Sequence, residues 1–330
     1  MMMFSSEFKR AIFRISETDF EKTALAVFRF QAEHVPVYRD YLRLLHIDPA
    51  RIYEMHKIPF LPVEFFKSHR VIAEGVTPGI EFSSSGTSGT VTSKHPVAEK
   101  NLYENSFIRG FEHFYGPLDD YCVLALLPSY LEREGSSLVY MADYFVRLSG
   151  HPGSGFYLHD YVALAEKLKE TDTSGKKVLL LGVTYALLDL AEQFPQPLKN
   201  TVIMETGGMK GKRKEIVREE LHAVLQNAFG VEKIHSEYGM TELLSQAYSK
   251  GDGRFFCPPW MRVAVRDVDD PFAYSPRGRT GGLNIIDLAN LYSCSFISVS
   301  DLGRINKDGS FEVLGRFDHS EIRGCNLLVQ

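Results

Sequence analysis

The chain holds 330 residues, 44% of them hydrophobic and 24% charged, with a net charge of −5. That is globular composition, with apolar mass for a sizeable core in one large domain or two moderate ones. Mild acidity gives nucleic acid or an anionic membrane surface no footing, and the longest apolar run, VLLLGVTYALLDLA at 178–191, is too short to span a bilayer and carries Asp189.

The N-terminus, MMMFSSEFKRAIFRISETDF, is broken by Glu7, Lys9, Arg10 and Arg14 and lacks the apolar core of a signal peptide. Residues 7–45 place apolar side chains at helical spacing: Phe20, Ala24, Val27 and Phe28, then Val37, Tyr38, Tyr41 and Leu42. Thr18 and Asp19 are candidate caps for the second helix, and Pro36 should kink or end it. IPFLPVEFFKSH (58–69) reads as extended and Pro-punctuated. Strand-like and helix-like segments then alternate. YCVLALLP (121–128), KKVLLLGVT (176–184), NTVIMETGG (200–208) and EKIHSEYG (232–239) read as strands. SSLVYMADYFVRL (136–148), ALLDLAEQF and RKEIVREELHAVLQNAFG (213–230) read as helices. This alternation predicts an α/β fold with a mostly parallel sheet. After about residue 255 the texture changes to short strands, LNIIDLA (283–289), SCSFISVSDLGRI (293–305) and SFEVLGR (310–316), with KDGS as a hairpin turn. The last quarter should therefore be a smaller β-rich subdomain.

Ligands of such sheets sit beyond the carboxyl ends of strands, where TGG (206–208) and EYGMTE (237–242) are expected. A third stretch, EFSSSGTSGTVTSKH (81–95), is dense in hydroxyls. Its Gly86 and Gly89 free the backbone to curve. Ser83, Ser84, Ser85, Thr87 and Ser88 supply donors, and Lys94 supplies a movable charge. That composition suits a phosphate cradle, and equally a polar linker. Neither it nor GGMKGKRK (207–214) is a Walker loop. In EYGMTE, Tyr238 could lie flat on a purine and Glu242 could hold magnesium. The alternative is a strand turning through Gly239, with Glu242 capping a following helix. Asp301, at a strand end, suits two ribose hydroxyls, and Arg316 stands where the last strand ends. Both also suit ordinary surface turns. His95 could meet a phosphate, and His235 could be a satisfied core histidine. The four cysteines show neither zinc spacing nor a disulfide framework, so reduced thiols in a cytoplasmic protein are expected. Cys122 and Cys294 fall in apolar segments and should be inert. Cys257 has no assigned role.

Taken in order, Ser/Thr/Gly-Lys, then Tyr-Gly-x-Thr-Glu, then Asp-x-Gly-Arg, then Gly-Arg-x-Asp resembles the adenylate-forming superfamily of acyl ligases and synthetases over residues 58–324. SSGTSGTVTSK resembles its phosphate loop, TGG its glycine motif beside adenine, and SDLGR and GRFDHSEIRG its ribose and hinge motifs. The loop ends in Thr-Ser-Lys where many members have Pro-Lys. The chain stops soon after the hinge, and the ending RGCNLLV looks most like the acyl-protein synthetases of the LuxE type.

The resemblance implies ATP and Mg2+ as cofactors and a carboxylic, fatty or otherwise apolar, acid as substrate. Ser84, Ser85, Gly86, Thr87, Ser88, Gly89 and Lys94 would hold phosphates, and Gly207, Gly208, Tyr238, Gly239 and Thr241 would surround adenine. Glu242 would hold the metal, Asp301 the ribose, and Arg316 would contact ribose or phosphate. Cys325, beside Arg323, would accept the acyl group and pass it to an acyl-CoA reductase-like partner. The alternative for Cys325 is a small buried residue of a last strand. The implied organisation is a helical segment (1–80) packed on the main domain, a nucleotide-binding core (81–254), a β-rich subdomain of the same domain (255–316), and a hinge stub with a tail (317–330). Two rivals stand beside this reading. One is a phenylacetate-type acyl- or aryl-CoA ligase whose small lobe is missing or supplied in trans. The other is a non-catalytic nucleotide or acyl-AMP binding module.

Overall fold

The computed structural model describes residues 4–84, 91–127, 135–207 and 216–317. Tyr121–Leu126 and Lys177–Val183 are buried along almost their whole length. Strands covered on both faces must be apolar throughout, which is why these read as continuous hydrophobic runs. They pair in parallel. Thr201–Thr206 and His235–Tyr238 follow on one side, and Gly155–Phe156 lies on the other. Helices Ser137–Ser149, Tyr161–Thr173, Thr184–Gln193 and Arg218–Phe229 occupy the connections.

At His235–Tyr238 the sheet changes sense. Ala247–Ser249 pairs with it antiparallel, and Phe255–Phe256, Phe311–Arg316, Phe296–Ile305, Gly281–Asp287 and Met261–Arg266 continue the sheet antiparallel to its edge. Leu61–Pro62 adds in parallel to Phe296–Ile305, giving one sheet of twelve strands among the described residues. The α/β class with a parallel core is as expected from the alternation. The β-rich last quarter extends that same sheet. A separate hairpin pairs Ile80–Ser83 with Lys94–Val97.

Helix Glu17–His34 begins at Ser16, whose hydroxyl accepts from the Asp19 amide at 3.2 Å. This corrects the expected caps: Thr18 and Asp19 already lie in the first turn. Pro36 does end the helix. Val35 is extended, and Pro36 opens helix Pro36–Leu44 at its first position, where a missing N–H costs nothing. Fully buried Gln31 ties the first of these helices to residues 290–295. Its Nε2 donates to the carbonyls of Asn290 and Leu291 at 2.9 and 3.0 Å, and its Oε1 accepts from the Ser295 amide. Residues 58–69 are less extended than expected, with Leu61–Pro62 followed by a turn of helix at Phe65–Ser68. Helix Lys100–Tyr115, unassigned above, buries Tyr103, Phe107 and Phe111, an aromatic stripe at a spacing of four. Among the described residues no helix is long and apolar enough to cross a membrane.

Candidate functional site

Beyond the carboxyl ends of Thr201–Thr206 and His235–Tyr238 lies a cavity of about 510 Å³. This is where the parallel half of the sheet meets the antiparallel half, the place where such sheets leave a crevice. Thr206 and Gly207 come from one strand end. Gly239, Met240, Thr241 and Glu242 come from the other. Ser84 and Ser93 stand at the mouth of the hairpin, and Lys67 and Arg316 bring positive charge.

Strand ends alone do not hold residues 239–246, because no helix follows them. The alternative reading, in which Glu242 caps a helix, is thereby corrected. Three buried side chains shape the turn instead. Asp287 accepts from the amides of Leu244 and Ser245 at 2.8 and 2.9 Å and from the Ser245 hydroxyl at 2.5 Å. Asn290 donates to the carbonyls of Glu242 and Cys294 at 2.9 and 3.0 Å. His95 Nδ1 lies 2.8 Å from the Thr241 carbonyl, and its Nε2 lies 3.2 Å from Asn290 Oδ1. His95 is wholly buried, so the expectation that it meets a phosphate is corrected. Burial pushes its imidazole down to about 4.

Glu242 lines the cavity while only 6% exposed. Burial raises its carboxyl above the usual range, a hydrogen bond from Ser93 opposes this, and Lys67 and Arg316 favour the charge. A buried carboxylate facing a cavity is a natural partner for a cation. Among the described residues no group of three His, Cys, Asp or Glu could hold a metal ion by itself. Magnesium fits here only if Glu242 is joined by oxygens of a ligand, which is how magnesium commonly sits on phosphates.

Asp301 lies inside strand Phe296–Ile305, which corrects its expected place at a strand end. It is the register partner of Arg316, and a bulge follows at Leu302/Gly303. Arg316 Nε is 3.2 Å from Asp301 Oδ1, and the Tyr238 hydroxyl donates to Oδ2 at 2.7 Å. Tyr238 packs edge-on against Phe255 and Phe311. It does not line the cavity, and neither do Lys94 and Asp301. Lys94 is exposed and lies 3.9 Å from Glu81. The base of the hydroxyl-rich loop is closed by two hydrogen bonds, from the Ser84 amide to the Ser93 carbonyl at 3.0 Å and from the Ser93 amide to Ser84 Oγ at 2.9 Å. Ser85, Gly86, Thr87, Ser88, Gly89, Gly208 and Cys325 lie outside the described residues.

The pattern reading missed Lys67 and Gln246, which line the cavity with Thr206 and Glu237. Thr206 and Glu237 were legible only as parts of TGG and EYGMTE. Burial raises the Glu237 carboxyl to about 7, against a hydrogen bond from the Thr206 hydroxyl. Gly239 packs beside it. A Cβ there would overlap Glu237 Oε1 and stand 3.3 Å from Gln246 Cγ. His235 meets the Tyr115 hydroxyl at 3.1 Å and is lowered to about 4, mainly by burial. Burial also raises the thiols of Cys122, Cys257 and Cys294, the last two to about 12, so all three stay protonated.

The family model described as acyl-protein synthetase, LuxE, matches residues 4–330. Solved structures share the fold. ATP-bound MatB from Rhodopseudomonas palustris is 18% identical, with a TM-score of 0.56 over 74% of this chain and 49% of that one. An open conformation of 2-hydroxyisobutyryl-CoA ligase, in complex with 2-HIB-AMP and CoA, is 13% identical, with a TM-score of 0.67 over 94% and 70%. The chain thus spans about half the length of MatB. No curated protein matches it.

Proposed function

Since the chain belongs to the LuxE acyl-protein synthetase family, we propose that it activates a carboxylic acid with ATP and passes the acyl group to a thiol. One observation carries the reading. Gly207, Gly239, Thr241, Glu242, Ser84 and Arg316, drawn from separate motifs, converge on a single cavity at the switch in the sheet. The core at 81–254 would bind the nucleotide, 255–316 would complete the same domain, and 317–330 would carry the acceptor.

An oxygen of the substrate carboxylate attacks the α-phosphorus of ATP. The bond from that phosphorus to the bridging oxygen breaks, and pyrophosphate leaves with the electron pair. No general base is needed, because the nucleophile is already an anion. What the step needs is charge stabilisation around phosphorus. Lys67 and Arg316 face the cavity with positive charge, and Ser84, Ser85, Thr87, Ser88 and Lys94 would hold the β- and γ-phosphates. Glu242 would hold magnesium, which neutralises phosphate charge when bound. Asp301 would receive the ribose hydroxyls, with Tyr238 and Arg316 fixing its carboxylate.

In the second step a thiolate attacks the acyl carbon. A thioester forms, the mixed anhydride breaks and AMP leaves. Family membership supports a protein thiol as acceptor, with Cys325 as the proposed one. The acid would be fatty, and a partner reductase would receive the acyl group.

The test is carboxylate-dependent ATP–pyrophosphate exchange across fatty and aromatic acids, with Cys325→Ser alongside. Exchange in both proteins, with labelled acyl group retained only by wild type, is the expected result. Retention by both proteins would place the acceptor elsewhere. ATP binding without exchange for any acid would overturn adenylation.

A further inference from the structure

Behind the cavity wall at Gly207 stands a buried hydroxyl, that of Thr184. Strand Lys177–Val183 pairs in parallel with Thr201–Thr206, and the register sets Val183 opposite Thr206. The residues that leave the two strand ends, Thr184 and Gly207, are therefore side by side. Thr184 opens helix Thr184–Gln193 and is 5% exposed. Its hydroxyl donates to the Gly207 carbonyl at 2.8 Å. A hydroxyl has one proton to give. The rival acceptor, Glu205 Oε2, stands farther off at 3.4 Å, and the other oxygen of that carboxylate faces Arg218 Nε at 3.7 Å. Gly207 lines the cavity; Thr184, Glu205 and Arg218 do not.

We propose that Thr184 is a positioning residue for the nucleotide: it holds the Gly207 carbonyl and so fixes the part of the cavity wall on which the base lies. This rests on the adenylating reading above. Strand pairing on both sides ends at Thr206, whose hydroxyl is also tied to Glu237. The Gly207 peptide is thus the first in this wall whose direction the sheet does not set. Gly207 has a φ of +73°, a left-handed conformation that glycine enters freely and leaves as freely. The hydrogen bond from Thr184 supplies the missing constraint. Gly207 brings neither charge nor side chain to the cavity, while the charges that suit phosphate, on Lys67 and Arg316, come from other elements. What a bare glycine offers is close approach to the backbone, which suits a planar, uncharged purine. Thr184 acts through Gly207 and touches no ligand itself.

The experiment is calorimetric titration of the full chain with ATP and with inorganic tripolyphosphate, beside ATP–pyrophosphate exchange. Thr184→Val keeps the shape and removes the donor; Thr184→Ser keeps the donor. Thr184→Val should bind ATP about fivefold more weakly, the worth of one hydrogen bond, while tripolyphosphate binds as in wild type. Exchange should show the same rise in KM for ATP with kcat nearly unchanged. Thr184→Ser should match wild type. Should Thr184→Val not fold, Thr184→Ala removes the same donor and takes its place. ATP and tripolyphosphate weakened together would make Thr184 merely structural, and unchanged ATP affinity would show Gly207 fixed without it. Either result overturns the proposal and leaves adenylation standing. The expected pattern in binding, with no exchange for any acid, keeps Thr184 in its role and overturns adenylation. A wild type that binds no ATP overturns both.

Discussion

The Tyr238 hydroxyl reaches across from one strand to donate to Asp301 at 2.7 Å, and Arg316 takes the other oxygen of the same carboxylate at 3.2 Å. The carboxylate proposed to receive the ribose is therefore held from two sides, by residues 63 and 15 positions away in the chain.

Tyr238→Phe removes one of those two holds. A hydrogen bond to a charged group is worth about 1.5–3 kcal/mol, so unfolding in urea should show a loss of that order. ATP affinity should fall with it, several-fold. Unchanged ATP binding with lowered stability would confine Tyr238 to packing.

Arg316→Ala should do the reverse. Arg316 is 73% exposed, and exposed ion pairs contribute about 0–1 kcal/mol, so stability should hardly change. Nucleotide affinity should nevertheless fall about tenfold in calorimetric titration, because the lost charge faces the cavity. A stability loss matching that at Tyr238 would show Arg316 to be structural.

Glu242→Gln keeps the shape and removes the charge. ATP binding measured without magnesium should be unchanged or stronger, since a buried negative charge has been deleted. The tightening that magnesium produces in wild type should be lost. A variant that still responds fully to magnesium would take Glu242 out of the metal site.

His95 gives a pH dependence of definite sign. Its imidazole is lowered from 6.5 to about 4 in the folded chain. Above pH 6.5 it is neutral folded or unfolded, and its contribution is fully present. As pH falls from 6.5 to 4 the unfolded chain takes up a proton that the folded chain refuses, and stability on the order of 3 kcal/mol is lost. His235 acts in the same direction, and Glu237 opposes both. Its raised carboxyl contributes stability below about pH 4.5 that is lost as pH rises through about 7. Urea titrations should therefore show a shallower slope between pH 4.5 and 6.5 in His95→Gln than in wild type. Equal slopes would remove His95 from the account.

What the sequence made legible was local. Tyr121–Leu126 and Lys177–Val183 announce themselves because both faces are buried. Gly207 and Gly239 could be placed at strand ends because each directly follows a segment that reads as a strand. Pro36 marks a helix boundary through its own ring. The errors came from choices settled elsewhere. Ser16 and Thr18 are both capable caps two residues apart, and the apolar spacing does not choose between them. His95 looked available to a phosphate because nothing nearby in sequence predicts Thr241 and Asn290 as its neighbours. Glu237 and Gln246 reach the same cavity only once two antiparallel strands have set their register.

The hydrogen bonds of His95 also set a timetable. Its partners lie 146 and 195 residues further along the chain. At roughly 5–20 residues per second, a ribosome takes on the order of 10–40 s to supply Asn290 after His95. Throughout that interval the hairpin that carries the hydroxyl-rich loop exists without the turn it must clasp. The nascent chain should acquire nucleotide binding late and abruptly, as the final quarter emerges, and not by degrees as each motif is made.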